Sequence, residues 1–519
     1  MRRHPRARAA PVRSFRLAAH SFRLAAHAIV VIAPLLALSG CAINPATGEQ
    51  SFTAFMSPED ERAVGRREHP KIMKQFGGAY DARELESYVR SVGARLGRVS
   101  EMPDLGFTFT VLNDDQVNAF ALPGGYVYIT RGLLALADDE AEMAGVIAHE
   151  IGHVTARHSA ERYSRAVAAN IGLSLLDILA SVAGAPTGTS DFASVGAQLY
   201  LQGYSRDQEL QADMLGIRYL ARAGYDTNAM TSFLGAIEDH NRLEETIQGR
   251  PEAAQRFSLL ATHPRTAERI DQARRLARVA PVPNPRVARA LFLSYLDGLL
   301  FGDDPKHGVR RGREFAHPDM GFRFEVPKGY ALVNGPERVV ARHANGAAIM
   351  FDIVGDDSAR AVRDLATYVG REWGAGLQAP VERMAVNGME AATTAGSARV
   401  RGGKIDVRLI AIRERTDRIY RFTFLTPPTL TARESLSLRR TTYSFRKLSA
   451  DEAAAIEALR LSVITVNPGD SAASLAQRMP FERFRIERFE TLNGLEHGAP
   501  LTPGARVKLV TGGGSRVPR

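Results

Sequence analysis

Cysteine is nearly absent from this 519-residue sequence, in which Cys41 is the single one. One cysteine excludes an intrachain disulfide and any zinc site built from several thiolates. Beyond residue 40 the chain also lacks an apolar run of the roughly 18 residues that a membrane-spanning helix needs. The sequence therefore predicts a globular body, and any metal ligands in it are expected to be His, Asp or Glu.

Acidic side chains are absent from the first forty residues, which carry seven arginines and so supply most of the formal net charge of +10. The remaining chain carries +3, and nothing in its charge favours binding to nucleic acid. The basic stretch leads into an apolar run at residues 28–38, which is too short to span a bilayer and is typical of a signal peptide core.

The tetrapeptide LSGC at residues 38–41 resembles a bacterial lipobox. This resemblance predicts that residues 1–40 are a lipoprotein signal peptide, that Cys41 is lipidated after cleavage, and that residues 41–56 form a lipidated tether. Ala42 follows the cysteine, and by the same resemblance a residue other than Asp there favours the outer membrane over the inner one. The alternative is an uncleaved membrane anchor with a spare cysteine.

The length of the chain suggests two to four domains. Residues 57–280 show mainly helical patterning with a few short strands, and three prolines mark a boundary at residues 281–285. Residues 281–314 are expected to be a linker with a bridging helix at 287–301. Residues 315–449 alternate strands and helices, which predicts an α+β domain of unknown role.

The last segment, residues 463–510, has a strand, helix, helix, strand pattern with turn signals at NPGDS (467–471) and LTPG (501–504). It resembles a LysM domain, a small βααβ module associated with the sugars of peptidoglycan and chitin. The resemblance implies peptidoglycan as a partner of this segment. The alternative is a module of the same shape that only packs against its neighbours.

The sequence HEIGH at residues 149–153 has the form HExxH. On a helix, His149 and His153 lie about 40° apart around the axis, so both rings can reach one metal ion. Glu150 would then lie beside that ion, where a carboxylate can accept a proton from water. The alternative is a surface helix with two solvated histidines.

A zinc hydrolase usually takes three protein ligands, so two histidines need a partner on another element. Glu209 and Asp213 lie four residues apart on a predicted helix and therefore share one face. Glu209 can bind the metal while Asp213 accepts a hydrogen bond from the outer nitrogen of a ligand histidine. A solvated acidic helix face is the alternative.

HEIGHVTARH (149–158) followed by SRDQELQAD (205–213) resembles the HtpX and CAAX-prenyl-endopeptidase group of gluzincin metallopeptidases, metallopeptidase family forty-eight. The resemblance implies a mainly α-helical gluzincin protease domain with a small β-sheet. It implies one Zn²⁺ per chain with His149, His153 and Glu209 as ligands, Glu150 as general base and Asp213 as the partner of a ligand histidine. Because no later span of adequate length exists, the chain resembles the lipoprotein branch without membrane helices.

Further expectations concern the surroundings of the metal. His263, in a Thr-His-Pro sequence that recurs in soluble relatives, is a candidate fourth ligand or a donor to the reaction intermediate. Residues 118–129 resemble the edge strand that lines the cleft in this family. His158 is expected on the opposite face of the HExxH helix, and His240, His317 and His343 are expected at the surface. Residues 171–190 are expected to form a buried helix and a mobile loop, or a lid that contacts the membrane.

The sequence as a whole predicts a multidomain zinc metalloendopeptidase that faces the periplasm and cleaves proteins or peptides in envelope protein quality control. Two alternatives stay open. One is a zinc-bearing periplasmic chaperone with little turnover, and the other is a hydrolase that cleaves the stem peptides of peptidoglycan.

Overall fold

The structure is a computed structural model that describes residues 41–168, 203–248, 263, 267–400 and 403–512. The expected signal peptide at residues 1–40 and the expected helix and loop at 171–190 lie outside these residues. In the described part of the chain, no helix is long and apolar enough to cross a membrane.

The segment expected to be a tether begins as a folded β-hairpin. Strand β1 (Cys41–Ile43) pairs antiparallel with strand β2 (Gln50–Phe52). The side chain of Asn44 is buried and donates to the carbonyl of Ala156 over 3.0 Å, because the hairpin packs against the helical domain that the sequence predicts to be the protease domain. The short turn-rich sequence therefore forms an ordered part of the domain surface.

The protease domain surrounds a three-stranded sheet with helices. Its strands are β3 (Thr108–Leu112), β4 (Ala119–Leu122) and β5 (Tyr126–Thr130). Its helices are α1 (Pro58–Gln75), α2 (Arg83–Arg98), α3 (Arg131–Leu136), α4 (Glu140–Thr155), α5 (Arg206–Arg222), α6 (Ala229–Gln248), α7 (Ala267–Val279) and α8 (Arg289–Leu296). The order Ser57-Pro58 is typical of a helix start, and the first helix begins there, with Ser57 as N-cap in a capping box and Pro58 in the first turn.

Helix α4 carries the HExxH sequence and is buried along its whole length. Its N-cap is Asp139, whose side chain accepts a hydrogen bond from the amide of Glu142. Helix α4 crosses α5 at very short range, because Gly152 faces Ala212 and Gly216 faces His149. A Cβ on Gly152 would lie 3.0 Å from the carbonyl oxygen of Ala212, so a larger residue there would push the helices apart.

The order of the small sheet is β3-β5-β4, so β3 and β4 are its two edge strands. The expectation that residues 118–129 form the edge strand is therefore only half right, since β5 (Tyr126–Thr130) is the central strand. Strand β5 pairs parallel with β3 and antiparallel with β4. The tight turn through Gly124 and Gly125, both with positive φ, reverses the chain and places β4 outermost.

The bridging helix is shorter than the sequence predicts. It ends at Leu296, and Gly298 (φ 81°) turns the chain into a short strand, Leu300–Phe301. A 3-10 turn, Pro305–His307, then leads into the middle domain, whose first strand begins at Val309.

The middle domain has a seven-stranded antiparallel sheet and a smaller four-stranded sheet. In spatial order the large sheet contains the strands Ala331–Asn334, Arg338–Arg342, Ala348–Gly355, Arg418–Thr426, Gly403–Arg415, Met389–Val400 and Val381–Val386. The small sheet contains Arg446–Lys447, Phe322–Glu325, Glu314–His317 and Val309–Arg311. Helical segments are Asp356–Ala361, Leu365–Thr367, Tyr368–Trp373, Ala375–Leu377, Thr431–Ser444 and Ala450–Ala454.

The middle domain has hydrophobic clusters of its own, so it forms a separate core. His317 is buried within it and accepts a hydrogen bond from the amide of Met320 over 3.3 Å. The prediction of a surface position for His317 is therefore wrong, because the strand that carries it packs inward.

The C-terminal segment contains the strands Leu459–Thr465 and Arg506–Gly512 and the helices Ala472–Ala476 and Arg485–Leu492. Its strands pair antiparallel, and Leu300–Phe301 adds to them as a third strand. Buried side chains of this segment belong to the same hydrophobic cluster as α2, α4 and β5 of the protease domain. Lys508 is fully buried and donates to the carbonyls of Ala135, Leu136 and Ala137 at the end of α3.

Candidate metal centre and active site

Helix α4 places the two histidines of HExxH side by side. His149 and His153 are both buried, and their Nε2 atoms lie 3.0 Å apart. Glu150 lies between them in sequence and has no exposed surface. The surface-helix alternative is therefore excluded, since these three side chains lie inside the protein.

Helix α5 supplies the acidic partners that the sequence predicts. An oxygen of Glu209 lies 3.5 Å from His149 Nε2, and its other oxygen lies 3.5 Å from His153 Nε2. Asp213 Oδ1 lies 2.9 Å from Nδ1 of His149, on the side of the ring that faces away from the cluster. The spacing of four residues puts both carboxylates on one face of α5, as expected.

His263 completes the cluster. Its Nδ1 lies 2.9 Å from Glu209 Oε1 and 3.2 Å from His149 Nε2. One ligand atom from each of His149, His153, Glu209 and His263 lies within 4.8 Å of the others. The four side chains that the sequence singles out for the metal therefore meet at one point.

The Glu209 separations fit a tetrahedral zinc ion. Nitrogen and oxygen ligands about 2.0–2.2 Å from such an ion lie roughly 3.3–3.6 Å from one another. The distances from Glu209 to Nε2 of His149 and His153 are 3.5 Å, within this range. The two histidine Nε2 atoms (3.0 Å) and the contacts of His263 Nδ1 (2.9 and 3.2 Å) are closer than this range. The donor set of imidazoles and a carboxylate is also the one that zinc hydrolases use, so the cluster fits zinc.

The electrostatics of the cluster favour a cation. Burial acts to lower the pKa of His149, yet Asp213 and Glu209 raise it to about 10. Burial acts to raise the pKa of Glu209, but the imidazoles of His263, His149 and His153 hold it well below its usual value. Burial lowers the pKa of His153 well below its usual value, which leaves a neutral ring able to bind a metal.

Glu150 has an unusual position for a buried carboxylate. Neither of its oxygens has a hydrogen-bond partner among the described residues, and His263 Nε2 lies 3.5 Å from its Oε1. Burial raises its pKa. A carboxylate whose oxygens accept no hydrogen bond from the described residues is poised to accept a proton from a water molecule beside the metal ligands.

Arg269, near the start of α7, is a component of the site that sequence reasoning missed. It is buried, and its guanidinium binds both oxygens of Asp213 at 2.7 Å and Oε2 of Glu209 at 2.7 Å. This pairing holds two adjacent carboxylates in place on α5. No spacing rule links Arg269 to HExxH, because it reaches the site from a separate helix.

The position predicted for His158 is wrong. Helix α4 ends at Thr155, and Arg157 adopts a left-handed conformation (φ 55°), so the chain turns back toward the site. Nδ1 of His158 lies 2.8 Å from Nδ1 of His153, and its Nε2 lies 2.7 Å from the side-chain oxygen of Gln211. His158 therefore contacts His153 at Nδ1, the ring nitrogen that faces away from the metal cluster.

A small surface recess opens beside His153. One wall is residues 121–123 at the end of β4, and another is Val154 and Ala160. Tyr204 closes part of it, with its ring stacked 3.7 Å from that of His153. The recess thus connects the metal cluster with the edge strand of the sheet.

Comparison with known proteins agrees with this geometry. Residues 83–277 match the model of peptidase family M48. The putative beta-barrel assembly-enhancing protease of Vibrio cholerae is 35% identical over 229 residues, which is 41% of this chain and 45% of that protein. The beta-barrel assembly-enhancing protease of Escherichia coli strain K12 is 33% identical over 198 residues, 37% of this chain and 39% of that protein.

A mitochondrial relative is also similar. The metalloendopeptidase OMA1 of Schizosaccharomyces pombe is 30% identical over 221 residues, 41% of this chain and 60% of that protein. The chain thus spans less than two thirds of the length of each of these relatives. A solved structure, cyanobacterial PsbP from Synechocystis, covers 27% of this chain and 98% of its own at 18% identity and a TM-score of 0.22, too low to establish a shared fold.

The matched region holds α4, α5 and most of α7, and so contains all four side chains of the metal cluster. Residues 83–277 are therefore similar to peptidase family M48, a family of gluzincin zinc metallopeptidases.

Proposed function

We propose that the whole chain is a zinc-dependent endopeptidase of the bacterial cell envelope that cleaves proteins or peptides near a membrane. The observation that carries this proposal is the buried carboxylate of Glu150 directly beside the cluster of His149, His153 and Glu209. Neither of its oxygens accepts a hydrogen bond from the described residues, and His263 Nε2, 3.5 Å away, is the basic group that the structure places against it.

His149, His153 and Glu209 are the proposed ligands, and Asp213 orients His149 through Nδ1. A zinc ion held by these residues would supply Lewis-acid chemistry, polarising a carbonyl oxygen and lowering the pKa of water. Arg269 keeps Asp213 and Glu209 in their positions by pairing with both.

Glu150 is the proposed general base. Its buried position without a hydrogen-bond donor suits a group that accepts a proton from water and then returns it to the amine nitrogen of the leaving peptide. Exclusion of bulk water matters here, because a buried carboxylate interacts with charges more strongly than a solvated one.

Strand β4 is the proposed site for the substrate main chain. Among the described strands it pairs with β5 alone, so its outer edge can accept an extended peptide as an added strand. Such a peptide would lie along the recess beside His153.

His263 is proposed as a fourth ligand that covers the metal, because its Nδ1 lies among the other ligand atoms. It would have to leave this position before a substrate carbonyl could enter. The alternative role, as a donor to the reaction intermediate, predicts the opposite effect of mutation. Replacing it (His263→Ala) should increase turnover of a peptide substrate if His263 covers the metal, and should decrease it if His263 is a donor.

The envelope location and the lipid anchor at Cys41 are supported by the lipobox-like sequence and by similarity to beta-barrel assembly-enhancing proteases. By analogy with the names of those relatives, we propose that the substrates include proteins of β-barrel assembly. Peptidoglycan binding through residues 463–510 remains a proposal supported by the LysM-like order of elements.

Zinc analysis combined with a casein digest tests the proposal. The parent chain should hold one zinc and cleave casein, and Glu209→Ala should lose both. Asp207→Ala is the matched control, since Asp207 lies exposed one half-turn away on the same helix. Undiminished zinc in Glu209→Ala would contradict its assignment as a ligand. Release of muropeptides from purified sacculi, with casein intact, would favour the peptidoglycan hydrolase.

A further inference from the structure

The N-terminal hairpin has one face that packs on the protein and one that is apolar and exposed. Ser51 and Thr53 are buried against the domain. Ile43 is 73% exposed and Phe55 is 42% exposed, although exposed side chains of this size are uncommon on the described surface. Phe52 is half-buried.

Strand register puts these apolar side chains together. Ile43 lies opposite Gln50, and residues two apart on a strand share a face, so Ile43 and Phe52 lie on the same face. The ring of Phe55 packs edge-on against that of Phe52, with centroids 6.0 Å apart. We call the surface formed by Ile43, Phe52 and Phe55 the hairpin face.

The sequence that precedes the hairpin indicates what covers this face. The apolar run at residues 28–38 ends just before β1, and Cys41 is the first residue of that strand. If Cys41 is acylated, its lipid enters the bilayer at β1; if the run is retained, the chain itself enters there. In both cases the hairpin face lies next to lipid.

We propose that the hairpin face rests on the lipid surface and holds the metal cluster at a fixed short distance from it. This inference depends on the membrane attachment in the proposed function, but not on peptidase activity. An acyl chain alone tethers a protein without orienting it, whereas a second apolar contact fixes its orientation.

The hairpin is joined rigidly to the site. Asn44 donates to the carbonyl of Ala156, just past the end of α4 (3.0 Å), and Arg157 donates to the carbonyl of Met56 (2.7 Å). The side-chain oxygen of Gln211 is hydrogen-bonded to His158, which contacts the proposed ligand His153. The side-chain nitrogen of Gln211 donates to Glu49 in the hairpin turn over 3.1 Å.

These contacts limit how far the site can move from the membrane. Asn44 is three residues from Cys41, which is about 10 Å of extended chain. The protein could not swing its active site out on a long tether. The substrates that this arrangement favours are therefore polypeptide segments that lie at the lipid surface, such as membrane proteins that have not yet inserted.

The test uses tryptophan fluorescence in the full-length chain reconstituted in vesicles of phosphatidylethanolamine and phosphatidylglycerol. Ile43→Trp places a reporter on the hairpin face, and Leu436→Trp is the matched control, because Leu436 is 60% exposed in the middle domain. The parent, with its single tryptophan at residue 373, gives the baseline. Brominated acyl chains should quench the added signal of Ile43→Trp and shift its emission to the blue, and should leave that of Leu436→Trp unchanged.

Equal quenching in the two variants, or none in Ile43→Trp, would overturn the proposal. A blue shift in Ile43→Trp that depends on protein concentration and occurs without lipid would also overturn it, and would identify the hairpin face as a contact between two copies of the chain. Repeating the measurement with Glu150→Gln added to Ile43→Trp separates this proposal from the proposed function, since quenching needs no catalysis.

A second experiment tests the consequence for substrates. Ile43→Asp with Phe55→Asp should reduce cleavage of a peptide anchored in the vesicle relative to the same peptide in solution, whereas Leu436→Asp should leave that ratio unchanged. An unchanged ratio in the hairpin variant would contradict the positioning role of the hairpin face.

Discussion

Two glutamates of helix α4, one at its first residue and one in its interior, are both buried and have opposite surroundings. Glu140, in the first turn, accepts hydrogen bonds from Tyr88 (2.6 Å) and Tyr225 (2.7 Å) and pairs with Arg286. Glu150, ten residues later, has neither oxygen hydrogen-bonded among the described residues. Both side chains have no exposed surface.

The difference in hydrogen bonding distinguishes a carboxylate that stabilises the fold from one that takes part in the reaction. A buried carboxylate with a full set of donors repays its desolvation by fixing the elements that surround it. Glu140 does this by joining α2, α4 and the segment before α8. A buried carboxylate without donors is stable only if something else, here a metal centre, requires it. The predictions below test this division, from the largest expected effect to the smallest.

Glu150→Gln should reduce peptide hydrolysis by about 10²–10⁴-fold, the usual contribution of a general base. Because Glu150 makes no hydrogen bond with the described residues that the amide would lose, zinc content and melting temperature should stay at the parent values. Both are measured on the same preparation as the activity. A variant that hydrolyses casein at the parent rate would refute the role of Glu150.

Asp213→Asn should weaken zinc binding by roughly 10–100-fold, the usual effect of losing the partner of a ligand histidine. The amide cannot accept from His149 and Arg269 as the carboxylate does. Competition with a chelator of known affinity measures the change. Asp207→Asn serves as the control on the same helix, and equal zinc affinity in the two variants would contradict the role of Asp213.

Glu140→Gln should lower the free energy of unfolding by about 2–4 kcal/mol, because it leaves the Arg286 guanidinium without its charge partner and disturbs two tyrosine hydroxyls. Glu84→Gln on the exposed face of α2 should have almost no effect. Chemical denaturation measures both. At temperatures where Glu140→Gln is folded, its zinc content should equal that of the parent. Loss of zinc from the folded variant would contradict a purely structural role for Glu140.

Glu142 gives a smaller, pH-dependent effect at the same end of α4. Burial, with a contribution from Asp138, raises its pKa to about 7 from 4.5, so the fold binds its proton more tightly than the unfolded chain does. Its contribution to stability is complete below pH 4.5 and is lost as the pH rises to about 7.

Glu142→Gln removes this loss. The melting temperature of the variant relative to the parent should therefore be higher at pH 8 than at pH 4.5, whatever constant effect the amide has. If the difference in melting temperature between variant and parent is the same at both pH values, ionisation of Glu142 does not destabilise the fold.

Much of the site could be predicted from the sequence because its signals are local. HExxH fixes two ligands and a base within one helix, and the spacing of Glu209 and Asp213 fixes a second face. The N-cap Ser57 marks the start of its helix for the same reason, since a cap bonds within its own first turn.

The errors arise where distant segments meet. Arg269 reaches the site from α7, and no pattern near it reports its partners. The sequence misplaces His158 because a left-handed residue, Arg157, ends the helix earlier than the apolar pattern suggests. The shared core of the C-terminal segment and the protease domain is likewise invisible in sequence, because Lys508 finds its acceptors in residues 135–137.

The most direct test of the central claim compares zinc-loaded Glu150→Gln with zinc-loaded Glu140→Gln at a temperature where both are folded, by the rate of casein cleavage per bound zinc. We expect Glu140→Gln to cleave at about the parent rate and Glu150→Gln to cleave at least about 10²-fold more slowly. Equal rates per zinc in the two variants would contradict the claim that Glu150 carries the chemistry.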